Sequence, residues 1–78
     1  MRVVNVMSWI ITRQRPEEEL QTYVDADIYG RGHWKSQSER TSIFDLPVQY
    51  PDRSEAETVI RRYKNADPEF VYHIEYYE

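Results

Sequence analysis

The last ten residues, EFVYHIEYYE, alternate with a period of two. Phe70, Tyr72, Ile74 and Tyr76 share one parity, and Val71, His73, Glu75 and Tyr77 share the other. Successive side chains of a strand point to opposite faces, so this is a strand with one largely apolar face. An apolar face needs a covering layer, and the segment just before it provides one. Asp52 or Ser54 can cap a helix there, and Ser54 with Glu57 has the spacing of a capping box. Ala56, Val59, Ile60 and Tyr63 fall at i, i+3, i+4 and i+7, one apolar stripe. Acids lead this segment and Arg61, Arg62 and Lys64 close it, as the helix dipole favours, while Glu57 and Arg61 stand i, i+4 apart. Asn65 and Asp67-Pro68 supply the stop. The stripe is expected to pack on the Phe70 face.

Residues 3–13, VVNVMSWIITR, are rich in β-branched side chains and carry apolar residues on both parities. That pattern predicts a strand that is central or covered on both faces. The next stretch has two readings. Pro16 and three glutamates make a good first helical turn, and Leu20, Tyr23, Val24 and Ile28 fit a helical stripe. However, Leu20, Thr22, Val24, Ala26 and Ile28 alternate with Gln21, Tyr23, Asp25, Asp27 and Tyr29. The preferred reading is a hairpin with RPEEE as its loop, the first set facing the core and the second facing out. GRGH is the glycine-rich turn, followed by Trp34 and a polar stretch expected to be irregular. SIFDLPVQY resumes an extended pattern, and Pro47 marks it as an edge or broken strand.

The expected fold class is α+β: a small antiparallel β-sheet of order β-β-(β)-β-α-β with one helix packed on one face. The helical reading of residues 16–28 gives the alternative, a ferredoxin-like β-α-β-β-α-β order. At 78 residues the chain makes one domain, 1–78. It has no cysteine, so disulfides and thiolate metal sites are excluded. Their absence favours a reducing compartment, and the apolar start is broken by Asn5 and Ser8 and lacks a cleavage signal. A cytoplasmic protein is expected, in the host cytoplasm if the chain is phage-encoded.

The formal net charge is −4, which argues against sequence-blind nucleic-acid binding and permits a basic partner. There is no phosphate loop, no H-E-x-x-H, no G-x-S-x-G and no spacing that suggests a triad, so no catalytic residue is assigned. His73 with Glu75, and Asp25 with Asp27, share a strand face, but a metal site needs three or four ligands. No metal or cofactor is expected. RGHWK is basic and aromatic: Arg31 and Lys35 suit a phosphate and Trp34, beside His33, a base, with Arg61, Arg62 and Lys64 as possible helpers. The plainer reading makes Trp34 a core anchor. Tyr23, Asp25, Asp27 and Tyr29 on the hairpin, with His73, Glu75 and Tyr77 on the last strand, form a tyrosine and carboxylate face if the two strands are near neighbours. Tyrosines bring contact area at low entropy cost and carboxylates steer a basic partner. Homodimerisation would use the same face.

From Trp9 to Tyr76 the chain resembles a recurring pattern of small bacteriophage and prophage accessory proteins. WIITR, TYV, GHW, IFD and DRSEAETVI precede the alternating terminal strand. The resemblance implies a non-enzymatic protein-binding role as a host-takeover factor or an inhibitor of bacterial defence, anti-CRISPR proteins included. It implies a bacterial protein as partner, and it brings no catalytic residue. Alternatives are a nucleic-acid-associated protein using Arg31 to Lys35, and a structural homodimer.

Overall fold

A computed structural model describes residues 8–25, 32–40 and 45–77, with Asp25 described by its backbone. The strands are β1 (Ser8–Gln14), β2 (Gln21–Asp25), β3 (Gly32–Ser36) and β4 (Val71–Tyr77), and the helix is α1 (Arg53–Ala66). They form one α+β unit: a four-stranded sheet of order β3-β2-β1-β4, antiparallel throughout, with α1 packed against β1 and β4.

The hairpin reading of the second segment holds. Glu18 N–H donates to Arg15 C=O at 3.1 Å, with Pro16 and then Glu17, at φ 64°, in the two central positions. Proline followed by a positive φ is the signature of a type II turn. Residues 21–25 are strand, which removes the helix needed for the ferredoxin-like order. The parity assigned to this hairpin is reversed. Thr12 pairs with Thr22 and Arg13 with Gln21, so Tyr23 shares the face of Ile11 and Arg13, the face that meets α1. Thr22 and Val24 lie on the opposite face, where they are nevertheless buried. A period of two gives the alternation but not its phase, and here both parities carry residues that bury well.

β1 is central, as its apolar residues on both parities predict, and Ser8, Ile10, Ile11 and Thr12 are all buried. β1 and β2 pair only near the turn. Farther along, residues 45–50 are wedged between them. Trp9 exchanges two backbone hydrogen bonds with Tyr50, at 2.9 and 2.8 Å, and Val48 N–H donates to Tyr23 C=O at 3.0 Å. Pro47 bridges Val24. Its missing N–H explains why this extended stretch gives two isolated bridges instead of a strand. The stretch after Gly32 is an ordered strand, closed by a short 3₁₀ turn over Gln37–Glu39. Gly32 has a specific role, because a methyl group there would overlap the ring of Tyr23. Residues 3–7, Gly30, Phe44 and their neighbours lie outside the described residues.

The helix stripe is as its spacing predicts. Ala56 and Ile60 are buried, and Val59 and Tyr63 pack against the same cluster with Ile11, Phe70 and Tyr72. The predicted capping box does not form. α1 begins at Arg53, with Asp52 at the N-cap, and Ser54 is already helical, its C=O accepting from Thr58 Oγ1 at 3.0 Å. Glu57 turns back to Arg53, at 3.3 Å. A carboxylate bridge of the capping-box kind occurs instead at Ser36, whose N–H and hydroxyl both donate to Glu39, at 2.9 and 2.8 Å. These two bonds hold the Glu39 carboxyl below its usual range, the backbone N–H contributing most.

Candidate partner-binding site

The sequence points to two surfaces, and the fold dismantles the first. Tyr23 faces α1, its hydroxyl hydrogen-bonded to that of Tyr63 at 2.9 Å. Its ring packs tilted against Trp34 and edge-on against Tyr63, at 5.0 and 5.4 Å between centroids. Burial, and then the bond to Tyr63, push its phenol well above the ordinary range. His73 and Glu75 are exposed and Tyr77 half-buried, all on the sheet face away from α1. β1 also separates β2 from β4. Tyr23 and the His73, Glu75 and Tyr77 set therefore belong to different faces, and the continuous tyrosine and carboxylate surface is not assembled. The Asp25 backbone falls on the parity of Tyr23, and Asp27 and Tyr29 lie outside the described residues.

The basic loop fares similarly. Arg31 lies outside the described residues, and His33 is exposed on β3. Trp34 is packed in the aromatic cluster against Tyr23, Tyr63 and Tyr72, as the plainer reading has it. Lys35 is neutralised by the buried carboxylate of Asp45 at 3.0 Å. The Arg13 guanidinium lies over the Trp34 ring at 4.3 Å and takes the place a stacked base would need on that face.

What the strand order leaves open, among the described residues, is the outer edge of β4. Trp9 commits both backbone groups to Tyr50, so its pairing with Tyr76 is of the non-hydrogen-bonded kind. The β1–β4 register runs unbroken from Ser8–Tyr77 to Gln14–Val71. By alternation Tyr72, Ile74 and Tyr76 turn their N–H and C=O groups away from β1, toward open space. The strand carries no proline, no bulge and no lysine, and its one charged side chain, Glu75, lies on the face away from α1. Val71 and Tyr76 are large and exposed, at 56% and 43%.

Beside this edge runs a groove of about 510 Å³, between β4 and α1. Tyr72, His73, Ile74 and Ile60 line it, with Arg53, Glu57, Arg61 and Lys64 along the helix wall. Arg53 is held by Glu57 at 3.3 Å, whereas Arg61 and Lys64 make no ion pair among the described residues. Both are exposed, and they stand i, i+3 on the helix. A basic strip thus flanks unpaired strand backbone over a floor that is partly apolar. The sequence carried both halves of this signal, the close of α1 in Arg61 and Lys64 and the proline-free last strand. It did not carry the strand order that leaves β4 at an edge.

No group of three metal-ligating side chains occurs among the described residues. No described helix is long and apolar enough to cross a membrane. Comparison with known proteins gives no match to a family model, to a curated protein or to a solved structure.

Proposed function

We propose that this chain is a small non-enzymatic protein-binding module that takes a partner segment onto the edge of β4. The observation that carries this reading is the open edge itself, with the outward N–H and C=O groups of Tyr72, Ile74 and Tyr76 beside a groove. Strand addition to such an edge is an established mode of peptide recognition: backbone bonds supply affinity and flanking pockets supply specificity. The resemblance to small phage accessory proteins supports a bacterial protein as the target, inhibition of a host or defence protein being the corresponding role. The interface is placed at β4 and α1 and does not include Tyr23, which is spent inside the aromatic cluster.

The test is capture from a bacterial lysate by the wild-type chain and by Ile74→Pro. Proline at this position removes an outward N–H and leaves the β1 ladder intact, a substitution that edge strands tolerate. A bacterial protein retained by the wild type and lost by the folded variant is the expected result. Equal retention by both would move the interface elsewhere, and retention by neither would remove the bacterial-target reading.

A further inference from the structure

We propose that the occupant of the β4 edge is an extended acidic segment, with carboxylates at alternate positions seated against Arg61 and Lys64. This rests on the strand-addition reading and names the chemistry of its partner. An added strand would bond to the outward groups of Tyr72, Ile74 and Tyr76, so every second side chain falls on the α1 side of the sheet. There it meets Arg61 and Lys64, two exposed cations without an ion pair among the described residues. Side chains two apart on a strand are separated by roughly 6.5–7 Å, and side chains three apart on a helix by roughly 5–6 Å at Cβ. The two spacings match closely enough for one carboxylate to meet each cation.

A second copy of this chain fits less well. Two β4 edges joined antiparallel are related by an axis perpendicular to the sheet, which puts both helices on the same side. Arg61 and Lys64 of the two copies would then face like charges. The β4 residues on that side, Tyr72, Ile74 and Tyr76, include no carboxylate to answer them.

Fluorescence anisotropy tests this with short labelled peptides that alternate glutamate with valine, or lysine with valine. The glutamate peptide is expected to bind about tenfold more tightly, the worth of two partly screened ion pairs. Arg61→Glu with Lys64→Glu should reverse the preference, and Ile74→Pro should abolish binding of both. Amide shift changes in the wild type, centred on Tyr72, Ile74 and Tyr76, keep the test independent of whether the proline variant folds. Equal binding of the two peptides, a preference untouched by charge reversal, or no binding at low salt would overturn the proposal. Self-association in sedimentation runs that Ile74→Pro removes would also overturn it, seating a second copy on the edge. Peptide selectivity without any captured bacterial protein would uphold this inference while removing the bacterial-target reading.

Discussion

Arg13 sits near the end of a central strand, yet its guanidinium is enclosed. It lies 3.9 Å from the Phe70 ring centroid and 4.3 Å from that of Trp34. Its Nε donates to Gln21 at 2.7 Å, and it reaches Asp67 at 3.5 Å. A planar, weakly hydrated cation suits such a slot and an ammonium does not. Arg13→Lys is therefore expected to cost about 1–2 kcal/mol, read from urea unfolding, as the stacking and the fork of donors are lost. Arginine at the end of a strand usually signals solvent, and nothing in the local sequence marks this one as a cation between two rings. The partners come from β3 and from the approach to β4, and only the fold brings them together. The turn makes the opposite case. Glu17 stands at φ 64°, where a side chain is strained and glycine is not. Glu17→Gly should raise stability by about 0.5–1 kcal/mol, net of the glycine's greater freedom in the unfolded chain. An unchanged urea midpoint would show that the turn carries no strain.

Among the elements, α1 and β4 were the most legible because each writes its own period. The helix stripe and the parity of Phe70, Tyr72 and Ile74 follow from spacing alone, and they meet as spacing requires. Phe70→Ala is expected to cost about 3–5 kcal/mol, the range for a large buried aromatic, with a corresponding fall in the melting temperature. Helix ends are less legible, since a cap is a matter of one hydrogen bond. Both Asp52 and Ser54 suit the role, and the chain begins its helix at the earlier one. Ser54 caps nothing, so Ser54→Ala should leave stability within about 0.5 kcal/mol of wild type or raise it slightly, alanine being the better helix former. A loss on the scale of a broken cap in the same urea titration would restore the capping box. The hairpin was legible as an element and illegible in phase. Its second strand carries Thr22 and Val24 on one parity and Tyr23 on the other, and all three find cover. The phase is set by register with β1, in which Thr12 meets Thr22, and by the wedge at Pro47, which is distant in sequence. The candidate surface failed for that reason: it required Tyr23 to face out.

Across the whole molecule, three tyrosines tie together parts that the sequence keeps apart. Tyr23 on β2 is bonded to Tyr63 on α1, and Tyr50 packs from the wedge against the same cluster. Burial is the main cause that raises the phenols of both Tyr23 and Tyr50. Neighbouring Tyr63 adds to it in each case, as does Glu55 for Tyr50, while Arg62 opposes it. Below the ordinary tyrosine value of about 10 these groups are protonated whether the chain is folded or not, and their contribution to stability is complete. Above it the unfolded chain releases its protons first and is favoured, so stability is lost as pH rises toward the higher folded values. The melting temperature is therefore expected to fall with increasing slope from roughly pH 10 upward. The phenolate absorbance of the folded protein should lag behind that of the unfolded chain over the same range. Tyr23→Phe removes one of the two raised groups, and its melting temperature should fall less steeply with pH, even though losing the bond to Tyr63 lowers its stability at neutral pH. Parallel curves for the variant and the wild type would mean that Tyr23 ionises as readily in the fold as outside it. The wedge, the hairpin and the helix would then not share a closed cluster.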